Sequence, residues 1–440
     1  MVKKNNLLRL KPILKILIVV FIFLSGIAFS YYIGLKKGYK NNPNPTQEDK
    51  YTSFIFEVYD KIQENYWDKI NDQQLTDLYK LGIEKLTSQP QDLKSDDREG
   101  LKNLLIKELK NIDSEEKKKE FVVSLADIVL ANLKPFGRSR LYSQKQEQDL
   151  KNSVQNINPD IDQYDILEVD KNASLNQIEK NYQVKKEEWN PETNKSPEAE
   201  QKYQEIEKAH EILSNPDNRT IYDQTGVEPT ISYKLIRPTI FYIHLIKFSP
   251  TSFDELKRIT EEVDNVDGLD SLILDLRDNV GGAIDLLPYI LGPFIGPDQY
   301  AYQFFHQGEK TDFKTKTGWL PSLVRYKKVM ILINENTQSS AELMAASLKK
   351  YHVGVVVGTP TKGWGTIEKI YPLENQLTDK EKFSLFLVHH LSLRDDNQPI
   401  EGIGVEPNIN ISDSNWEQEL YSYFNYSDLV EATKEALTSN

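Results

Sequence analysis

Ser339 stands where a predicted strand gives way to a helix, a position from which a hydroxyl group could attack a carbonyl carbon. It follows the buried apolar run KVMILIN (328–334) and precedes the helical stretch SAELMAASLKKY (340–351). A serine at a helix start lies among free backbone N–H groups and near the positive end of the helix dipole, and such groups could stabilise an oxyanion. The structural alternative is a capping box, since Ser339 and Glu342 have its spacing.

The elements that must position Ser339 predict an α/β domain from Ile231 onward. Alternating or continuous apolar runs indicate strands, and an amphipathic run indicates a helix between two of them. These segments are IFYIHLIKF (240–248), the helical SFDELKRITEEV (252–263), SLILDLRDN (271–279), which leads into Gly281-Gly282, and GVVVGT (354–359). Strand, helix and strand form a βαβ unit, and active sites of such sheets lie at the carboxyl ends of the strands.

Composition excludes several functional classes. The 440 residues suggest about three domains. The chain has 54 Lys and Arg against 67 Asp and Glu, a net charge of −13, which speaks against nucleic acid as a partner because phosphate binding needs a basic face. The absence of cysteine excludes disulfides, thiolate catalysis and thiolate-ligated metals. No metal-ligand set is evident, and no cofactor is expected; His389 and His390 are neighbours on a predicted strand, so only one can face any site.

The N-terminal forty residues are cationic and apolar. Residues 16–35 form an uncharged run of twenty, long enough to span a hydrocarbon core of roughly 30 Å. Five cationic residues precede the run and three follow it, which favours a cytoplasmic N-terminus. We therefore expect a single-pass anchor in a bacterial plasma membrane, with the bulk of the chain extracytoplasmic. A signal peptide cleaved near Ala28-Phe29-Ser30 is the alternative.

Two helical regions follow a polar linker at 41–50. Apolar residues at spacings of three and four predict helices over 51–150. Residues 163–226 predict a hairpin of two amphipathic helices, with a turn at Pro191 between them and a stop at Asn215-Pro216-Asp217.

The hairpin, within 160–226, resembles a J-domain, the module by which co-chaperones stimulate DnaK-type chaperones. The segments YDILEV, NAS, AHEIL and NRTIYDQTG carry the resemblance. Where that family has His-Pro-Asp, this chain has Asn190-Pro191-Glu192, and the lysines of the preceding helix are offset by glutamates. We expect a J-like fold without J activity, and a DnaK-type chaperone is not expected as a partner.

Residues 231–412 resemble the tail-specific, or C-terminal processing, protease family of serine peptidases. Four motifs carry the resemblance in the family's order: LILDLRDNVGG, ILINENTQSSAELMAASLK, VVVGTPTKGWGTIEKIYPLEN and QPIEGIGVEPNINI. The region 51–150 is also similar to the family's N-terminal helical part, and the J-like hairpin stands where the family usually carries a PDZ domain. The resemblance implies an α/β peptidase domain with a ClpP/crotonase-like βαβ core and a polypeptide substrate.

The same resemblance implies a set of site residues. Ser339 falls on the family's nucleophile, and the backbone N–H groups of Ser340 and of Gly281 or Gly282 fall on its oxyanion donors. A substrate strand is expected to pair beside residues 271–279.

The general base is the point at which the chain departs from the family. The family's lysine falls on Trp364, whose indole has no basic nitrogen. Lys362, two residues earlier on the same face of a strand, could supply an amine. Glu368, in place of the family's assisting glutamine, could act as a carboxylate or orient another base. The third alternative is an inactive fold that binds polypeptides without cutting them.

These patterns predict a membrane-anchored, serine-endopeptidase-like protein that acts on extended or C-terminal polypeptide segments. The alternative is a catalytically inactive, polypeptide-binding protein of the cell envelope. The predicted parts are a tail and anchor (1–40), a linker (41–50), a helical region (51–150), a J-like domain (160–226), a protease-like domain (231–412) and a C-terminal helical tail (413–440).

Overall fold

The computed structural model describes residues 49–394 and 396–438 of the chain. Within this described part, no helix is long and apolar enough to cross a membrane. The longest described helix, Glu115–Ala131, has 17 residues and begins with a charged run, whereas a span needs about 20 apolar residues. This finding contradicts the predicted fold with one transmembrane helix and the predicted single-pass plasma-membrane localisation, and it leaves the predicted membrane partnership without support. The predicted anchor itself, 16–35, lies outside the described residues.

The N-terminal part is a helical bundle followed by a short strand. Its elements are α1 (Lys50–Asn65), α2 (Asp72–Thr87), α3 (Arg98–Lys110), α4 (Glu115–Ala131), β1 (Arg140–Ser143) and α5 (Gln144–Gln155). Side chains of Asn71, Asp97 and Ser114 accept hydrogen bonds from backbone N–H groups and start α2, α3 and α4. The apolar faces of α1 to α4 form one buried core.

A second, smaller helical part follows. It consists of α6 (Gln163–Ile166), α7 (Leu175–Glu188), α8 (Ala199–Ser214) and α9 (Pro216–Thr225). Its own core includes Tyr164, Ile178, Ile206 and Leu213, all buried. The helical hairpin predicted from the sequence is thus α7 and α8.

The C-terminal part alternates strands and helices. Its elements are β2 (Ile231–Arg237), β3 (Ile240–Leu245), α10 (Ser252–Glu262), β4 (Ser271–Asp275), α11 (Leu287–Ile295), β5 (Tyr300–His306), β6 (Glu309–Lys314), α12 (Pro321–Val324), β7 (Lys328–Ile333), α13 (Ser340–Lys350), β8 (Val355–Gly358), β9 (Thr366–Pro372), β10 (Phe383–Leu393), β11 (Ile409–Asn410), α14 (Trp416–Phe424) and α15 (Ser427–Thr438).

Six of these strands form the central sheet, in the order β11-β8-β7-β4-β3-β2. In this sheet β3, β4, β7, β8 and β11 are all parallel to one another, and only β2 is antiparallel, to its neighbour β3. Both faces are covered, which explains the continuous apolar runs of β4 and β7. Because β4 lies between β3 and β7, it has no free edge for the substrate strand predicted beside residues 271–279.

A second sheet, in the order β1-β10-β5-β6, connects the helical bundle to the central sheet. Residues 384–386 of β10 pair with both β1 and β9, and Leu391 pairs with both β5 and β9. Since a strand has two edges, β1 and β5 share one edge of β10, and β9 takes the other.

Candidate active site

Ser339 is the N-cap residue of α13, at the end of the loop that leaves β7. Its backbone has φ +58° and ψ −123°, a conformation that is costly for a residue with a Cβ atom and that clusters at functional sites. The residue is partly exposed and lines a cleft of about 440 Å³. A strained turn therefore places the candidate nucleophile in an accessible cavity.

The buried carboxylate of Glu342 fixes this turn against a second loop. It accepts hydrogen bonds from the Ser339 N–H group (2.8 Å), Thr361 Oγ1 (2.6 Å) and the N–H groups of Gly363 (2.7 Å) and Trp364 (2.8 Å). Burial raises the pKa of Glu342, and these hydrogen bonds oppose that shift by stabilising the carboxylate. Glu342 thus holds the Ser339 turn and the 361–364 loop in one arrangement.

The turn at Gly281 and Gly282 packs against Ser339. A Cβ atom at position 281 would lie 2.7 Å from the Cβ atom of Ser339, so the approach requires glycine. The N–H group of Gly281 already donates to Asn279 Oδ1 at 2.8 Å. The N–H groups of Gly282 and Ser340 have no hydrogen-bond partner among the described residues. Of the three predicted oxyanion donors, these two are therefore unpaired; Gly282 lines the cleft, whereas Ser340 is buried behind it.

Asn279 connects the glycine turn to the serine turn. Its side chain is fully buried, with Oδ1 accepting from Gly281 N–H and Nδ2 donating to the Leu245 carbonyl oxygen at 2.7 Å. Its own carbonyl oxygen accepts from the N–H group of Gln338 at 2.9 Å. Because Gln338 precedes Ser339, one asparagine sets the spacing between the two sides of the candidate site.

Trp364 forms part of the cleft wall. The guanidinium carbon of Arg138 lies 3.4 Å from the centroid of its ring, a cation–π contact. Arg138 pairs with Glu401 at 3.0 Å, and Glu401 also accepts from the Gly365 N–H group at 2.8 Å. The side chain at the family's lysine position is therefore a covered aromatic surface.

Glu368 lines the same cleft as Ser339. Burial raises the pKa of Glu368 to about 7, despite opposing contributions from hydrogen bonds with Thr366 and Trp364 and from the charge of Arg138. The Thr366 hydroxyl donates to Glu368 Oε1 at 2.5 Å. A carboxylate that titrates near neutral pH is suited to general-base work.

The two lysines near the site differ in position. Lys362 is exposed and is not among the residues that line the cleft; its Nζ atom lies 6.0 Å from the ring centroid of Trp364. Lys247, which the sequence analysis did not single out, lines the cleft and donates to Ser153 Oγ at 3.1 Å. Burial, and then the charge of Lys208, lowers the pKa of Lys247. The sequence signal that could have identified Lys247 is its position just after β3, at the carboxyl end of a strand, where active sites of such sheets lie.

In the J-like part, Asn190-Pro191-Glu192 lies in the loop between α7 and α8. Asn190 Oδ1 accepts from the Glu192 N–H group at 2.9 Å. Two lysines of α7 form ion pairs, Lys185 with Glu168 and Glu188, and Lys186 with Glu207. The basic charge of this helix is therefore locally neutralised.

Comparison with known families identifies both parts. Residues 239–411 match the model of peptidase family S41, and residues 162–223 match that of the DnaJ domain. The resemblance to a tail-specific protease with a J-domain insert is thereby confirmed. The first match contains Ser339 and Glu368, and the second contains α6 to α8 and most of α9.

Two relatives in sequence agree with this division. The chain is 26% identical over 201 residues to the carboxy-terminal-processing protease of Bartonella bacilliformis. The matched region covers 42% of this chain and 44% of that protein. It is also 46% identical over 65 residues to the chaperone protein DnaJ of Crocosphaera subtropica, and this region covers 15% of this chain and 17% of that protein. A solved photosystem II D1 C-terminal processing protease shares 17% identity over 42% of this chain and 49% of its own, with a TM-score of 0.35. The chain thus spans less than half the length of each.

Proposed function

We propose that the chain is a serine endopeptidase that cuts extended or C-terminal polypeptide segments, with Ser339 as its nucleophile. The observation that carries the proposal is the shared cleft, in which a strained serine turn, the unpaired N–H group of Gly282 and the Glu368 carboxylate lie together. The family S41 match over 239–411 supports the same class.

In the proposed reaction, Glu368 accepts the hydroxyl proton as Ser339 Oγ adds to the scissile carbonyl carbon. The N–H groups of Gly282 and Ser340 donate to the oxyanion that forms. The proton then passes to the leaving amine, the C–N bond breaks and an acyl-enzyme remains. Water, losing a proton to the same carboxylate, attacks the ester and releases the new carboxyl terminus, and the proton returns to Ser339 Oγ.

The substrate would bind as an additional strand along β9. Among the described strands, β9 pairs with β10 alone, and Thr366, Ile367 and Glu368 at its start line the cleft. An extended peptide can hydrogen-bond to such an open edge. This edge replaces the one that β4 does not offer.

Besides Arg138, which is paired with Glu401, two cationic side chains in the cleft suit a substrate with a free C-terminus. Arg140 and Lys247 both line it, and in this chain no PDZ-like part is expected to capture the terminal carboxylate. Arg140→Gln is expected to reduce kcat/KM for a peptide with a free carboxylate about tenfold and to leave its C-terminal amide nearly unaffected. Peptide pairs that differ only in this group, assayed by mass spectrometry, measure the effect.

The alternatives to this proposal concern the general base. Because Trp364 stands in place of the family's lysine, one alternative is a fold that binds polypeptides and does not cut them. Lys362 remains the alternative base, although its exposure gives it less support than the position of Glu368.

The test uses the full chain and unfolded casein, with fragments identified by mass spectrometry. Ser339→Ala and Glu368→Gln are expected to lose cleavage, and Lys362→Ala to retain it. A fluorophosphonate probe should add one mass label to the wild type and none to Ser339→Ala. Loss of cleavage in Lys362→Ala alone would transfer the base role to that lysine. A folded wild type that binds casein and neither cuts it nor takes the label would be a binding protein.

A further inference from the structure

Three of the six histidines of the chain meet away from the cleft, where β10 leaves its pairing with β1 and enters that with β5. They are His306 at the end of β5 and His389 and His390 on β10. One ring nitrogen of each lies within 4.8 Å of the other two. All three side chains are half-buried, and none of them lines the cleft of Ser339.

A β-bulge allows two adjacent histidines to reach one point. The β10–β9 ladder pairs Val388 with Glu368 and His390 with Ile367, which leaves His389 as an extra residue on β10. In a regular strand, neighbouring side chains point to opposite faces, but a bulge re-aims one of them. The ring centroids of His389 and His390 consequently lie 4.2 Å apart.

Backbone carbonyl groups orient two of the rings in the manner typical of metal ligands. His306 Nδ1 lies 2.6 Å from the carbonyl oxygen of His389, and His389 Nδ1 lies 2.8 Å from that of Asn65. Since a carbonyl oxygen only accepts, both Nδ1 atoms carry protons, and the lone pairs are on Nε2. His390 Nδ1 is buried without a hydrogen-bond partner, which makes it an unused polar atom in the cluster.

We propose that His306, His389 and His390 form a binding site for a divalent transition metal, with zinc as the probe. Imidazole nitrogens suit zinc, and three of them leave a fourth position open for water or another ligand. In a tetrahedral site with Zn–N bonds of about 2.1 Å, ligand nitrogens lie about 3.4 Å apart, so modest ring rotations would close the present arrangement.

The surroundings of the three histidines contain one feature that disfavours metal binding and one that favours it. The charge of Lys369 acts on His389 and His390 and disfavours a cation. The geometry favours it, because the half-buried rings of His306 and His389 are already oriented by backbone carbonyl groups. The ion would connect β5 and β10 and, through the Asn65 carbonyl group, brace the end of α1.

The experiment titrates the chelator-treated full chain with ZnSO₄ by calorimetry. We expect one site with a dissociation constant of about 1 μM or tighter. Zinc at about 100 times this constant should raise Tm by about 4 °C. The double variant His389→Ala/His390→Ala should bind at least about 100-fold more weakly and lose the Tm shift.

The control removes two histidines elsewhere, in His210→Ala/His352→Asn; asparagine suits the positive φ of His352 (+51°). This variant should bind zinc as the wild type does. If the cluster variant fails to fold, Co²⁺ added to the wild type provides the second measurement, because nitrogen ligands in a tetrahedral site give intense visible absorption. A folded wild type with no stoichiometric zinc site and no such spectrum, or equal loss in both variants, would overturn the proposal.

Discussion

Single ionisable groups determine what the cleft can do. Glu368 and Lys247 are both half-buried in the cleft wall, where the carboxylate of the first and the ammonium group of the second are hard to charge. Both shifts move the groups toward neutral pH, the range in which proton transfer is efficient. The polar and cationic atoms around Glu368, from Thr366 and Arg138, moderate the shift in its pKa.

Glu368→Gln tests the proposed base by its pH dependence. If the carboxylate accepts the proton, kcat/KM of the wild type should rise with pH, and the rising limb of the pH profile should have an apparent pKa near 7. In the variant, kcat/KM should be about 10²- to 10⁴-fold lower than in the wild type. Casein cleavage between pH 5 and 9 measures the limb. Full activity of the variant with an unchanged limb would remove Glu368 from the mechanism.

The same group makes a prediction for stability. The folded-state pKa of about 7 lies above the ordinary value of 4.5, so the folded chain holds an additional proton between these values. The free energy of unfolding should therefore fall as pH rises through this window, by on the order of 2 kcal/mol. Urea unfolding of the wild type and Glu368→Gln at pH 5 and pH 8 measures the difference, which should be smaller in the variant.

At the scale of elements, the candidate site lies where two turns at the ends of neighbouring strands pack against each other. One turn follows β4 and carries Gly281 and Gly282, and the other follows β7 and carries Ser339. Asn279 connects them through two hydrogen bonds, because its side-chain Oδ1 accepts from the Gly281 N–H group and its backbone carbonyl oxygen accepts from the Gln338 N–H group. The Asn279 side chain, which holds the glycine turn, is fully buried, and a buried amide group with its hydrogen bonds satisfied makes that turn rigid.

Asn279→Ala is expected to disturb the site without removing any proposed reacting group. It leaves the Gly281 N–H group and the Leu245 carbonyl group without their partner, which costs about 2–3 kcal/mol of the free energy of unfolding. kcat should fall about tenfold or more while KM changes little. The control Asn172→Ala alters an exposed asparagine of the J-like part, away from both turns, and should change neither the free energy of unfolding nor kcat by more than a small amount. Equal behaviour of the two variants would contradict the linking role.

The J-like part should not stimulate a DnaK-type ATPase. Asn190-Pro191-Glu192 replaces the family's tripeptide, and Lys185 and Lys186 are paired with glutamates. In a steady-state ATPase assay with a bacterial DnaK, the full chain should leave the rate at its basal value. Stimulation by the wild type, matched by Asn190→Ala, would show that the tripeptide is not required here.

At the scale of the whole molecule, the C-terminal helices complete the sandwich around the central sheet. Apolar residues of α14 and α15, including Leu420 and Leu429, are buried against β3, β4, β7 and β8. Arg277, paired with the buried Asp275, also donates to the Ala436 carbonyl oxygen at 2.7 Å. The segment predicted as a tail therefore covers one whole face of the sheet.

Leu429→Ala tests this role. The side chain is fully buried, so its removal should lower the free energy of unfolding by about 3 kcal/mol. Tyr423→Ala, on α14 and 67% exposed, should change it by less than about 0.5 kcal/mol. Urea unfolding followed by circular dichroism measures both. A stable Leu429→Ala chain would mean that the C-terminal helices are not part of the cooperative core.

Local patterns in the sequence determined the elements. Apolar periodicity predicted the hairpin of α7 and α8 and the strand–turn–helix at Ser339, because both depend on residues close together in the chain. The resemblance to the protease family implied that Gly281 and Gly282 lie near Ser339, and the structure shows an approach at Gly281 that excludes a Cβ atom.

The tertiary structure decided what the elements do together. β1 and α5, about 200 residues before Ser339, form a wall of the cleft, and Glu368 lines this cleft whereas the exposed Lys362 does not. The bulge at His389 brought two adjacent histidines together, against the alternation that the sequence suggested. Long-range register and burial, which no local pattern encodes, set these positions and the ionisation of the groups that occupy them.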